Sequence, residues 1–135
     1  MEFKDLEQHL PEIIENIQYG MDCMVNVDTL EIEFCSNGME EFDDHKEFGQ
    51  TLNYKKWTNF IKIDALTLHE KFHIMDLYAT QLKNKRMKER LFYALDNENP
   101  IGYFRKVIKG TDFFKEWTDF NNKEILNILK SKHIF

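Results

Sequence analysis

Residues 23–35 read CMVNVDTLEIEFC. Cys23, Val25 and Val27 alternate with Met24 and Asn26, and Leu30, Ile32 and Phe34 alternate with Glu31 and Glu33. A period of two means one apolar and one polar face on an extended chain, and two such runs about a short polar pair predict a β-hairpin. Asp28-Thr29 stands at its centre, a weaker turn pair than Asp-Gly, so the pattern leaves the loop length open. With the turn there, Cys23 lies opposite Phe34 and Cys35 opposite Asp22. The two thiols then point to opposite faces of the sheet, and no disulfide joins them.

Upstream, PEIIENIQYG (11–20) puts Ile13, Ile14 and Ile17 on one helical face, with Pro11 suited to a first turn and Gly20 to a stop. Residues 4–10 add a turn or a short separate helix. Downstream, SNGMEEFDDHKEFGQ (36–50) breaks all periodicity and reads as a solvated acidic loop without calcium-loop spacing. WTNFIKI (57–63), aromatic and β-branched, is a candidate third strand.

From Thr67 onward the pattern is helical. Leu68, Phe72, Met75, Ala79 and Leu82 form one stripe. Met87, Leu91, Ala94 and Leu95 follow an Asn84 cap, and Phe104, Val107 and Ile108 sit between Asn99-Pro100 and Gly110. Thr111 or Asp112 opens a last helix carrying Phe113, Trp117, Phe120, Ile125, Ile128 and Leu129. The reading is an α+β fold in one domain, residues 1–135. It has an N-terminal helix, a small antiparallel hairpin sheet of two or three strands, and about four helices.

The order of these segments resembles uncharacterised protein family 0158, a group of small bacterial proteins with no assigned activity. Over roughly residues 17–132 the likeness is carried by VNVDTLEIEF, NFIKID, HEKFHIMDLYATQL, RMKERLFYAL and IGYFRKVIKGTDFFKEWTDF, the last with Trp117 and Phe120. The family often has Gly where this chain has Leu30 and Pro where it has Asp64, and its usual pattern lacks an H-E-x-x-H motif where this chain has His69 to His73. The resemblance implies the α+β fold and brings no catalytic residue with it.

Bulk composition narrows the classes. The chain of 135 residues has net charge −6, split between 14 acids and 4 bases in residues 1–60 and 10 acids and 14 bases in residues 61–135. Halves of −10 and +4 favour head-to-tail contacts, or a partner for each. No apolar run approaches the roughly 18 residues of a membrane span. MEFKDLEQHL has no apolar signal region and the two cysteines make no C-x-x-C pair, so the expectation is a cytoplasmic protein without a membrane role. G-x-S-x-G, a phosphate-cradling glycine loop and a Rossmann fingerprint are all missing, so no motif calls for a cofactor.

Two constellations bear chemistry. His69-Glu70-Lys71-Phe72-His73 spells H-E-x-x-H, which in a zinc hydrolase supplies two imidazole ligands and a carboxylate that activates water. A catalytic zinc needs a third protein ligand. Asp76 and Ala79 stand where the extended motif has Gly and His, and Glu89, Glu98 and His133 are the alternatives. The same letters contain Thr67-Leu68-His69-Glu70, a capping box that gives Glu70 a structural task, and the positive end of the helix dipole disfavours a cation there.

The second constellation is basic. Lys83, Lys85, Arg86, Lys88 and Arg90, followed by Arg105, Lys106 and Lys109 with Tyr93, Tyr103 and Phe104 between, could grip single-stranded nucleic acid or simply form a solvated face. The aromatic set Phe104, Trp117 and Phe120 reads as core. The expectation is therefore a non-enzymatic binding or adaptor protein, its partner another protein or a second copy. A zinc-dependent hydrolase and a nucleic-acid-linked regulator are the alternatives.

Overall fold

A computed structural model of the protein describes residues 3–36 and 59–132. The acidic loop expected over 36–50 lies outside the described residues beyond Ser36, as do Trp57, Thr58 and His133. The chain divides into two compact units, the described parts of Met1–Leu66 with Leu129–Phe135, and Thr67–Ile128.

In the first unit, α1 (Phe3–Leu6), a 3₁₀ turn (Glu7–His9) and α2 (Leu10–Gln18) precede three strands, β1 (Met21–Asn26), β2 (Ile32–Ser36) and β3 (Phe60–Ile63). Leu10, Ile13, Ile14 and Ile17 form the buried face of α2, which packs on β1. Pro11 sits in its first turn, and Gly20 takes a positive φ of 95° that turns the chain into β1.

The sheet is antiparallel in the order β2-β1-β3. Its register is the expected one, with Cys23 opposite Phe34 and Asp22 opposite Cys35. Both cysteines are free and buried. The third strand exists and pairs with β1 on the edge away from β2.

β1 goes beyond the alternation read from the sequence, in that Asp22, Cys23, Met24, Val25 and Asn26 are all buried. As the central strand it is paired on both edges and covered on both faces, so its polar side chains need partners. The Asp22 carboxylate accepts the Ala65 amide at 2.7 Å and lies 3.6 Å from Lys62 Nζ. Asn26 Oδ1 accepts the amides of Asp28 and Thr29 at 2.8 and 3.1 Å. Asn26 also closes the hairpin through its backbone, donating to the Glu31 carbonyl and accepting from the Leu30 amide. Val27, Asp28, Thr29 and Leu30 form the loop, and Leu30 has a φ of 62°.

The second unit opens with α3 (Leu68–Gln81), α4 (Lys85–Leu95) and α5 (Pro100–Lys109), which pack on one another, and continues into α6 (Phe114–Ser131). Asn84 caps α4 by accepting the Met87 amide, and Asn99 caps α5 by accepting the Gly102 amide. Met87, Leu91, Ala94 and Leu95 are the buried face of α4, as their spacing predicts. Trp117 is buried edge-to-face against Phe104 and Tyr78, with ring centroids 4.8 and 5.4 Å apart. The Tyr78 hydroxyl donates to Glu116 Oε1 at 2.7 Å.

The stripe on α3 is displaced from its expected line. Ile74, Met75, Tyr78, Ala79 and Leu82 are buried, whereas Leu68 is 71% exposed and Phe72 lies at the surface. Tyr78 is the cause: its ring needs the aromatic pocket and its hydroxyl needs Glu116, which rotates the inward face toward 74 and 78.

The strained turn gives a first prediction. A left-handed non-glycine residue costs roughly 1–2 kcal/mol, of which glycine's extra freedom returns a part. Leu30→Gly should raise the unfolding free energy in denaturant titrations by about 0.5–1 kcal/mol, and Leu30→Ala should bring no gain. A second prediction concerns alkaline pH. Burial, then the nearby Cys35 and Glu12, push the Cys23 thiol from 9.0 up to about 12. Burial, then Glu116, push the Tyr78 phenol above its ordinary range as well. Both groups hold their protons longer in the folded chain. Their contribution is complete below pH 9 and is lost as pH rises toward 12 through the Cys23 value. Unfolding free energy should fall over that window, and less steeply in Cys23→Ala.

Candidate functional site

The helix start that spells H-E-x-x-H is a complete capping box. Thr67 Oγ1 accepts the Glu70 amide at 3.0 Å, and Glu70 Oε1 accepts the Thr67 amide at 2.9 Å. Glu70 therefore satisfies a backbone donor of the first turn. His69 and His73 are exposed, with nearly parallel rings whose centroids are 6.5 Å apart. Lys71, between them in sequence, is half-buried. Desolvation, then the charge of Arg105, pull its ammonium below the ordinary lysine range. Among the described residues no group of three His, Cys, Asp or Glu side chains is placed to hold a metal ion. Glu98 lies exposed between α4 and α5, and Glu89 lines a groove instead.

That groove, about 590 Å³, lies open between α3 and α4. Phe72 and Asp76 form the α3 wall, one turn apart. Glu89, Phe92, Tyr93 and Asp96, with Leu95 below them, form the α4 wall. Phe92 and Tyr93 miss the buried stripe of α4, and Tyr93 is 77% exposed. Every ionisable side chain on the α4 wall except the Tyr93 phenol, and the one on the α3 wall, is a carboxylate. The second unit as a whole has 9 acids against 11 bases, so the groove's sign is local.

None of the cations of the basic stretch lines that groove. Lys83, Lys85, Arg86 and Arg90 are exposed and Lys88 is half-exposed. Arg86 and Arg90 border a smaller hollow of about 320 Å³ with Asn84, Thr111, Asp112 and Phe113. Phe104 and Trp117 are core, and Phe120 packs edge-to-face on Tyr78, so this aromatic set is not a ligand box.

Sequence patterning singles out Tyr93 only as an aromatic among cations, and passes over Phe72, Asp76, Phe92 and Asp96 as site residues. The usable signal is phase. Phe92 and Tyr93 fall outside the stripe of 87, 91, 94 and 95, and a large ring on a helix's wet face marks a contact surface.

No family model matches the chain, and no significant match was found among the curated proteins or the solved structures.

The cap predicts a mutational order. Thr67→Ala should lower unfolding free energy by about 1 kcal/mol, Glu70→Gln by less, and His69→Ala and His73→Ala hardly at all. Elemental analysis of protein prepared without metal resin provides the check. Near-stoichiometric zinc that disappears in His73→Ala would overturn the cap as the reason for these five residues.

Proposed function

We propose that the protein is a non-enzymatic cytoplasmic binding or adaptor protein, and that the groove between α3 and α4 is its contact surface. The observation that carries this reading is the combination of rings and charge there. Phe72, Phe92 and Tyr93 are left at the surface beside Asp76, Glu89 and Asp96. Exposed aromatics at the centre of a patch with charges around them are the composition of a protein-binding site. The carboxylates select a partner segment bearing lysine or arginine.

The zinc-hydrolase reading has less support, because Glu70 is engaged in the cap. The nucleic-acid reading rests on the exposed cations of residues 83–90, none of which lines the groove.

The test is capture from the native cell extract with tagged wild-type protein and with a Phe72→Ala, Phe92→Ala, Tyr93→Ala variant. Phe72 and Phe92 are only 36% and 37% exposed, so the unfolding midpoint of the variant is measured beside the capture and the comparison is made where both proteins are folded. The variant should lose a protein that the wild type retains. If the two capture the same set, the groove is not the contact surface.

A further inference from the structure

Helix α4 has an unusual charge order. Its first turn has no acid and its last turn no base. Lys85, Arg86 and Lys88 crowd the positive end of the helix dipole, and Asp96 caps the negative end. Each such placement opposes helix stability. Among the described residues, Lys85, Arg86, Glu89 and Asp96 have no ion-pair partner within the chain. The helix is thus a charged rod whose side chains reinforce the backbone dipole.

The two ends of the exposed stripe are also complementary to one another. Lys85, Glu89, Phe92 and Asp96 follow one another at spacings of four, three and four, which places them along one face. When two copies of this face meet antiparallel about the midpoint of Arg90 and Leu91, Lys85 of each lies opposite Asp96 of the other. Glu89 of each then lies opposite Phe92. Arg86 and Tyr93 share one flank of the stripe, so each guanidinium comes over the other copy's exposed ring. The lysine at each end thereby meets an anion, and the two helix dipoles run opposite.

We propose that the partner of the groove is a second copy of this chain, in a two-fold symmetric dimer with the α4 helices antiparallel. This rests on the binding reading above and names its occupant. A two-fold pairing buries the same patch on both subunits and closes the assembly, as most soluble oligomers do.

The experiment is sedimentation analysis of the purified protein with two single substitutions, Lys85→Glu and Asp96→Lys. Both residues are exposed. The wild type should show a species of twice the 16.4 kDa chain mass that dissociates on dilution and on adding salt. Each variant alone brings like charges together at two symmetric points, and its dissociation constant should rise about tenfold or more. A one-to-one mixture restores both opposite-charge pairs in a heterodimer and should regain close to wild-type affinity. A wild type that stays at 16.4 kDa at every concentration overturns the proposal, as does a dimer that neither substitution weakens or a mixture that fails to recover. Should the wild type be monomeric while the three-ring variant still loses a captured protein, the groove binds a different protein, and only the second copy fails. Should that variant lose nothing as well, the binding reading fails with it.

Discussion

A strand covered on both faces and paired on both edges has no water to fall back on, and β1 is such a strand. Its two polar side chains at the extremes, Asp22 and Asn26, must find donors within the protein. Asn26 takes the amides of the hairpin loop, which fixes where the chain reverses into β2. Asp22 takes the Ala65 amide, which fixes how the chain leaves β3. One residue further, the Leu66 amide donates to the Ile17 carbonyl at the end of α2. The path of the first unit follows from satisfying the ends of its central strand, with apolar burial in Cys23, Val25 and Ile63 filling the space between.

Much of this is legible in the order of the amino acids alone. The hairpin register follows from alternation plus the position of Asp28-Thr29, because a slip of one residue would reverse every side chain. The α4 face and the Thr67, Asn84 and Asn99 caps are local features, written within a few residues of one another. What local patterning misses depends on distant partners. The pairing of β1 on both edges requires β3, which lies more than thirty residues away in sequence. The rotated face of α3 requires Glu116, Trp117 and Phe120 from another helix. The groove is hidden for the same reason, since it is made of aromatics that the core does not take up, and the core must be known first.

The two motifs of the second unit show how one set of residue types can answer different demands. Thr-x-x-Glu at a helix start satisfies amides that would otherwise lack acceptors, and here it consumes the glutamate that a hydrolase would need for its water. The cations of α4 do the opposite: they sit where the helix gains nothing from them. A residue that explains itself through backbone satisfaction needs no ligand. Residues that cost stability where they stand have no such explanation in the backbone.

The histidine pair at the start of α3 also has a practical side. Two exposed imidazoles one turn apart would offer a resin-bound transition-metal ion a two-point contact only while the helix exists. Once the chain unfolds, the spacing between His69 and His73 is no longer fixed and the chelate effect is lost. Immobilised-metal chromatography would therefore retain native chains in preference to denatured ones, without an added tag. The first two turns of α3 would then serve as a conformation-selective affinity handle supplied by the fold.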